Sequence, residues 1–439
     1  MALTADDMRA ACREQGIRFL RLQFTDILGV VKSVDLPIQQ LDKVLAGECI
    51  FDGSAVEGFV RVHESDMRLT PDPATFARLP WKPDTARLIC DVGRFDGVPY
   101  PGDPRQMLRQ VLARAEAQGW RMMVGTEVEF FLFHRDAAGR PSTLTHDQAS
   151  YFDLAPVDLG EQVRSDVVAT LDALGIAVEQ SHHEIAPGQH EIDCVQVPAL
   201  AAADQLATLR VTVRTVAARA GLHATFMPKP LNGVNGSGLH VHQSLLRGDA
   251  NAFEDGSQRE GLSAIARHYL AGVLAHARGL SAVTNPLVNS YKRLVPGYDA
   301  PVFASWSHSE PTQMVRVPAR RGPGTRLEVR TPDPACNPYL ALAAMLAAGL
   351  DGIKRKQAAP PPVEQPADRL SAEERADLGI APLPADLREA LDALDADAVV
   401  REALGEAIHA RFRAAKSVEW EVYRARVHEW ELEQFLGTF

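Results

Sequence analysis

The run Met122-Met123-Val124-Gly125-Thr126-Glu127-Val128-Glu129-Phe130-Phe131-Leu132-Phe133 is apolar and aromatic apart from a short polar interval, and it reads as a β-strand. In a strand Glu127 and Glu129 share one face. Two like charges side by side on a core-grade strand repel each other, so they point either to a bound cation or to the wet side of an edge strand. Other segments predict their elements as plainly. Residues 19–24 and 87–92 are β-prone and separated by turn signals, with Pro71, Pro73, Pro80 and Pro83 between them. At Asp103-Pro104 an N-cap acid and a first-turn proline open a helix that runs through Met107, Leu108, Val111, Leu112 and Ala115 and stops at Gly119. The start Thr4-Ala5-Asp6-Asp7-Met8 predicts a capped helix. Helical patterns return from Ala385 onward, after a Pro-rich stretch at 358–362.

This order of elements predicts an α+β protein in two parts. A small N-terminal domain covers residues 1–102, and a larger one with mixed helices and strands covers 103–439. Residues 338–350 form an apolar Ala- and Leu-rich stretch of about a dozen residues, too short for a bilayer. It is expected to be a buried helix, and no contact with a membrane is expected.

Composition narrows the function classes. A chain of 439 residues with 46% hydrophobic and 23% charged residues is ordinary for a globular protein with a large core. The net charge of −11 argues against a nucleic-acid surface, which needs clustered Lys and Arg to neutralise phosphates. The five cysteines are scattered and form no Cys-x-x-Cys pair, and no basic flank precedes an apolar segment at the N-terminus. A reducing cytoplasm is the expected location.

Three further motifs carry candidate chemistry. In His182-His183-Glu184-Ile185-Ala186-Pro187-Gly188-Gln189-His190-Glu191-Ile192 the Pro-Gly pair predicts a hairpin that lets Glu184 and Glu191 converge. In Asn235-Gly236-Ser237-Gly238-Leu239-His240-Val241-His242-Gln243-Ser244 a glycine-rich turn leads into a strand with His240 and His242 on one face. In Arg326-Leu327-Glu328-Val329-Arg330 a strand would place Arg, Glu and Arg on one face, either an exposed sheet surface or a charged cleft. Glu127, Glu129, Glu184, Glu191, Glu328 and His240 make an oxygen-rich donor set suited to magnesium or manganese. No cysteine is expected near any of these motifs, so a cysteine-ligated zinc is not expected either.

In order along nearly the whole chain, the sequence resembles a bacterial type I glutamine synthetase of the short α-type. The matching runs are Phe51-Asp52-Gly53-Ser54, Glu64-Ser65-Asp66-Met67, Glu127-Val128-Glu129, His182-His183-Glu184, the 235–242 motif, Lys292-Arg293-Leu294-Val295-Pro296-Gly297-Tyr298 and Asn337-Pro338-Tyr339-Leu340. The resemblance implies an N-terminal β-grasp domain and a catalytic domain built as a partial antiparallel barrel with surrounding helices. It implies a dodecamer of two hexamers with active sites between neighbouring subunits. The implied reaction makes glutamine from glutamate, ammonium and ATP through γ-glutamyl phosphate, with two Mg²⁺ or Mn²⁺ ions. Carried over by position, Glu129, Glu184 and Glu191 would bind the ion beside glutamate, and Glu127, His240 and Glu328 the ion on the ATP phosphates. Arg293 and Arg330 would hold glutamate and the phosphoryl group, with Asn235 and Gly236 at its amino-acid end. Arg316 and Arg326 would meet nucleotide phosphates, and His242 and Ser244 would lie along the nucleotide. Asp52 of an adjacent subunit would join Tyr151 and Glu184 around ammonium and take its proton.

Several positions depart from the family pattern or bear on control. Asp299 stands where the family's flap carries a glutamate, Pro311 where it carries an arginine near the phosphates, and Ala55 where a serine is common. Arg320 or Arg321 would offset the lost arginine. These departures keep open a γ-glutamyl-amine ligase acting on methylamine, ethanolamine or a polyamine, while a different class would be a silent nitrogen-sensing homologue. By resemblance, Arg61 is linked to glutamine feedback. Arg388 replaces the tyrosine that adenylylated relatives modify, so no adenylylation is expected. The amphipathic end around 427–436 would insert between the two rings.

Overall fold

The structure, a computed structural model, describes residues 4–54, 56, 66–258 and 260–439. Arg61 and Ala55 lie outside the described residues, as do Glu64 and Ser65 of the Glu64-Ser65-Asp66-Met67 run. The N-terminal sheet contains β1 (Phe19–Thr25), β2 (Val31–Pro37), β3 (Cys49–Asp52), β4 (Asp66–Pro71), β5 (Ala77–Leu79) and β6 (Lys82–Arg94). Its order is β2-β1-β6-β4-β3, with β5 beside β6; β1 and β6 run parallel and the other pairs antiparallel. Leu20, Leu22, Leu69, Leu88 and Val92 pack with Met8 and Cys12 of the helix Ala5–Glu14. A helix laid across a mixed sheet is the β-grasp arrangement. That helix starts where the sequence predicts, because Thr4 and Asp7 close a reciprocal capping box.

The second sheet contains β7 (Arg121–Arg135), β8 (Pro141–Thr145), β9 (Val178–His183), β10 (Gln189–Pro198), β11 (Leu222–Thr225), β12 (Leu239–Arg247), β13 (Ala250–Asn251), β14 (Trp306–Ser307), β15 (Val315–Arg316) and β16 (Leu327–Val329). The main path is β14-β15-β16-β12-β7-β10-β9, and every pairing is antiparallel except β14 with β15. Val124, Val128, Phe130 and Leu132 point from β7 into the main core, against residues of the helices Ala199–Arg219 and Pro338–Arg355. The second of these is the buried Ala- and Leu-rich helix expected at 338–350. Its start is capped by the Asn337 side chain, which accepts from the backbone N–H groups of Tyr339 and Leu340. Among the described residues no helix is long and apolar enough to cross a membrane.

The two sheets are joined by buried charge. Arg105, in the first turn of the helix Pro104–Glu116, is 2% exposed. It donates to Asp72 (2.7 Å), Asp91 (2.7 Å) and, through two nitrogens, Asp204 (2.9 and 2.8 Å). Asp103 caps the same helix through the Arg105 N–H and also accepts from the N–H of Val92 on β6. Among the described residues, Arg105→Met leaves Asp204 with only the Tyr339 hydroxyl and leaves Asp72 and Asp91 to Arg109 alone, and removing one partner of a buried ion pair costs about 3–5 kcal/mol. Urea unfolding of the variant should show a loss of that order, and a change under about 1 kcal/mol would mean that the network contributes no more than an exposed pair does.

Candidate active site

The register of the second sheet sets three rows of polar side chains side by side on the face opposite the main core. One row reads Arg316 (β15), Glu328 (β16), His242 (β12) and Gly125 (β7). The next reads His240 (β12), Glu127 (β7), Asp193 (β10) and Gln180 (β9), and the third Glu129 (β7), Glu191 (β10) and His182 (β9). Glu184 follows at the end of β9, in the turn to β10 around Gly188, whose φ of 69° suits glycine. That turn is pinned from below by Asp147, which accepts from the Gly188 N–H at 2.9 Å and meets His183 Nε2 at 3.2 Å. Glu328 is fully buried, so its strand lines a charged cleft and is not an exposed surface.

Two adjoining cavities lie over these rows. The first, with an open volume of about 1090 Å³, has Glu127, Glu129, Tyr151, Glu184, Glu191, Asn235, Gly236, His240, Arg293, Asp299, Pro311, Arg316 and Arg330 on its wall. The second, about 1150 Å³, has Glu127, Asp193, Gln196, His242, Arg320 and Arg326. Glu127 lines both, whereas Glu129 lines only the first.

Hydrogen bonds fix the side chains and their tautomers. Arg326 Nε donates to His242 Nδ1 (3.0 Å), so the His242 proton sits on Nε2 and is given to Glu127 at 2.6 Å. His240 gives its Nδ1 proton to Glu127 (2.9 Å), which leaves a lone pair on Nε2, 3.8 Å from Glu129. Although burial opposes it, these two imidazoles hold the Glu127 carboxyl far below its usual range. Glu129 accepts from Gln189 Nε2 (2.8 Å) and the Gly238 N–H (2.9 Å), yet burial and the neighbouring Glu184 push it up to about 7. Burial, then Glu129, drives Glu191 well upward, and burial with Glu127 moves Asp193 to about 7.

Carboxylates forced toward protonation around an imidazole lone pair form a donor set that fits hard divalent cations. Glu127, Glu191 and His240, then Glu127, His242 and Glu328, and also His182, Glu184 and Glu191, bring ligand atoms within 4.8 Å of one another. Because Glu129 and Glu191 must shed protons to bind a cation, affinity for manganese should climb as pH rises through about 7. Calorimetry of chelator-treated protein in buffers of different ionisation enthalpy should record proton release at pH 6 that shrinks by pH 8. Affinity and proton release that stay flat across this window would contradict the assignment.

The arginines take distinct positions. Arg293 is held by the backbone carbonyls of Thr331 (2.8 Å), Pro332 (3.2 Å) and Arg330 (3.0 Å). Arg330 pairs with Glu328, and Arg316 Nε donates to the same carboxylate at 2.6 Å. Arg316 therefore lines the first cavity, and Arg326 the second. Of the two arginines expected to offset Pro311, Arg320 lines the second cavity, while Arg321 is turned onto the carbonyls of Glu260, Pro318 and Arg320. Asn235 Nδ2 donates to Asp299 at 3.1 Å, which sets Asp299 on the first cavity's wall at a φ of 51° that an aspartate tolerates. Gly236 and Gly238 have no room for a side chain: a Cβ would lie 2.2 Å from the Pro228 carbonyl in one case and 2.7 Å from Arg293 Nη2 in the other.

Ser244, Cys194 and Asp52 occupy three different settings. Ser244 is buried and off the walls of both cavities; its hydroxyl accepts from Gln196 Nε2 at 2.7 Å, and Gln196 is the residue on the wall. Cys194 does border the second cavity, close to the carboxylates, but burial pushes its thiol up to about 12, so it offers no thiolate. Asp52 stands on β3 and is absent from both walls in its own chain, where its carboxylate accepts from the Ser54 N–H at 2.9 Å. Tyr151 is half exposed at the rim, its ring edge-on to His182 at 5.5 Å between centroids. The sequence motifs alone do not single out Asp193, His182 or Gln189. The alternation Gln189, Glu191, Asp193 on a strand was the available signal.

Residues 16–94 match the family model for the glutamine synthetase β-grasp domain, and residues 101–435 the model for the glutamine synthetase catalytic domain. The chain is 52% identical over 446 residues to a protein named glutamine synthetase from Thermus thermophilus, with 100% of both chains covered. It is 51% identical over 440 residues to one from Staphylococcus aureus strain MW2 and 49% identical over 439 residues to one from Clostridium saccharobutylicum, with 99% of each chain covered. Among solved structures it is similar to "GmaS/ADP complex-Conformation 1", with a TM-score of 0.90 at 35% identity and 100% of both chains covered. "Apo GmaS without ligand" gives 0.88 at 35% identity, covering 99% of this chain and 100% of that one.

Proposed function

The chain belongs to the glutamine synthetase family, and from that premise we propose that it is the ATP-dependent ligase that joins ammonia to the side-chain carboxylate of glutamate. The observation that carries this reading is the pair of cavities meeting at Glu127, one lined by Glu129, Arg293 and Arg330 and the other by His242, Arg320 and Arg326. Two anionic substrates thereby face each other across one carboxylate.

The first cavity takes glutamate. The Asn235-Gly236 backbone and Arg293 hold its amino-acid end, and Arg330 steadies the side-chain carboxylate and the group it receives. The second takes ATP, with Arg320 and Arg326 near the phosphates; Arg316 serves from the glutamate side. Magnesium or manganese held by Glu127, Glu129, Glu184, Glu191, His240 and Glu328 supplies positive charge to the transferring phosphoryl group. The glutamate carboxylate attacks the γ-phosphorus, the bond to the β-phosphate oxygen breaks, and γ-glutamyl phosphate and ADP result. Ammonium at Tyr151 and Glu184 gives a proton to Asp52, the ammonia so formed attacks the acyl carbon, and phosphate leaves with the second proton that the nitrogen sheds in becoming an amide.

Since Asp52 is missing from the walls in its own chain, the same reading needs a neighbouring subunit, in a dodecamer of two hexamers within the cytoplasm. Exposed Tyr151, Phe152, Leu154, Val157 and Leu159 beside the first cavity support such a neighbour. Exposed Trp430, Leu432, Phe435 and Leu436, in and just after the helix Glu429–Phe435, support contact between rings. We keep the division at 102/103, the feedback role of Arg61 and the absence of adenylylation at Arg388 as parts of this proposal.

One observation favours a second acceptor class. Pro311 and Asp299 also line a third cavity of about 820 Å³ that includes Glu310 and Asp368, where the tail of a larger amine would find acidic company. Product analysis tests the main reading: glutamine and phosphate should form in equal amounts, and only when ATP, glutamate and ammonium are all present. Bound nucleotide with no phosphate release for any acceptor would instead support the silent homologue.

A further inference from the structure

Lys229 lies in the loop that leads from β11 to Asn235 and Gly236, and it is 9% exposed. Its backbone is clamped to Asn289, whose side chain accepts from the Lys229 N–H at 2.8 Å and donates to the Lys229 carbonyl at 3.0 Å. The stem then packs against Gly236, where a Cβ would lie 3.2 Å from Lys229 Cδ. At its end the ammonium donates to the Val234 carbonyl and stands over the Tyr298 ring, 3.7 Å from the centroid. Among the described residues no carboxylate pairs with it, and burial, followed by the nearby Arg293, pulls its pKa down. An ammonium over a ring face is held more strongly when it is desolvated, as here.

Tyr298 and Asp299 both line the first cavity, in a segment between the helix Ser290–Arg293 and β14 that belongs to no regular element. Two side-chain contacts tie this segment to the loop at 229–236: Lys229 against the Tyr298 ring, and Asn235 Nδ2 to Asp299 at 3.1 Å. We propose that Lys229 is a positioning residue for the transfer reaction, holding Tyr298 so that Asp299 and its neighbours keep the first cavity closed to bulk water. Its kinetic consequence rests on the ligase reading above. There γ-glutamyl phosphate has two fates, since water competes with ammonia. The oxygen of water bonds to the acyl carbon, the bond to the phosphate oxygen breaks, and glutamate, phosphate and a proton result. A segment held in place suppresses that side reaction by excluding water. It also keeps Asn235 aligned for the amino-acid end of glutamate.

The test uses the full chain. Lys229→Met should raise the KM for glutamate about five- to thirtyfold, the span of a partly to fully desolvated cation–π contact. It should also release more phosphate than amide, where the unaltered protein forms the two in equal amounts. Tyr298→Leu should reproduce both defects, Tyr298→Phe should restore both because it keeps the ring, and Lys229→Met with Tyr298→Leu should be no worse than either alone. A merely structural role would lower kcat or stability and leave phosphate and amide equal. Chymotrypsin gives a readout without turnover: cleavage after Tyr298, followed by mass spectrometry, should be about fivefold faster or more in Lys229→Met. If Lys229→Met fails to fold, the Tyr298 variants decide. Equal phosphate and amide in Lys229→Met, normal kinetics in Tyr298→Leu, Tyr298→Phe as defective as Tyr298→Leu, or unchanged cleavage would overturn the proposal. An unaltered protein that forms no amide with any acceptor would instead overturn the ligase reading, and the cleavage rates would then decide the role of Lys229.

Discussion

Glu129→Gln is expected to lower kcat by about 10²–10³, the usual cost of removing one preorganised electrostatic group, with the defect concentrated in the response to glutamate. Glu129 lines only the first cavity and accepts from Gln189 Nε2 and the Gly238 N–H. An amide in its place sets one NH₂ against one of those two donors and removes a negative charge next to the His240 lone pair. Glu127→Gln should fail differently. That carboxylate lies between the cavities and accepts from both His240 and His242, and His242 is in turn held by Arg326 on the nucleotide side. Its loss should therefore raise the ATP requirement more than the glutamate requirement. Steady-state kinetics with each substrate varied in turn separates the two variants, and matching defects in ATP and glutamate dependence would undo the division of roles.

Asp52→Asn should cost about 10²–10⁴ in turnover, the range for losing a positioned general base. The more telling result comes from mixing. If Asp52 serves the neighbouring subunit's cavity, then Asp52→Asn and Glu129→Gln chains, each inactive alone, should recover activity when dissociated, combined and reassembled. In a random equal mixture a site is intact when its Glu129 chain and its Asp52 donor are both unaltered, so recovery should approach about one quarter of wild type. No recovery in assemblies of demonstrated mixed composition would place Asp52 outside catalysis or within its own chain's site.

Short-range features were the legible ones. The β-character of 122–133, the turn at Pro187-Gly188, the capped starts at Thr4 and Asp103 and the buried helix after Pro338 all depend on neighbours a few residues apart, and the structure has each of them. The shared face of Glu127 and Glu129 followed from strand alternation alone. What stayed hidden depends on register between distant strands. Asp193 stands beside Glu127, and His182 beside Glu191, only because β7, β10 and β9 pair as they do. The same dependence puts Gln196 in front of Ser244 and sends Arg316 to one cavity and Arg326 to the other. A β-bulge between Cys194 and Val197 shifts β10 against β7 just there, in a way no local pattern announces. The opening pair of glutamates thus looked like one cation site; both line the first cavity, and Glu127 also lines the second.

The acceptor decides the central claim. With Asp299 and Pro311 on the cavity wall in place of the family's glutamate and arginine, ammonium should still be used with a kcat/KM at least tenfold above that of methylamine, ethanolamine or a polyamine. The measurement is phosphate release at saturating ATP and glutamate with each acceptor varied, paired with identification of the product. Ammonium in first place, with glutamine as the product, is the expected result; a higher kcat/KM for any of the amines, with the corresponding γ-glutamyl amide as the product, would contradict it.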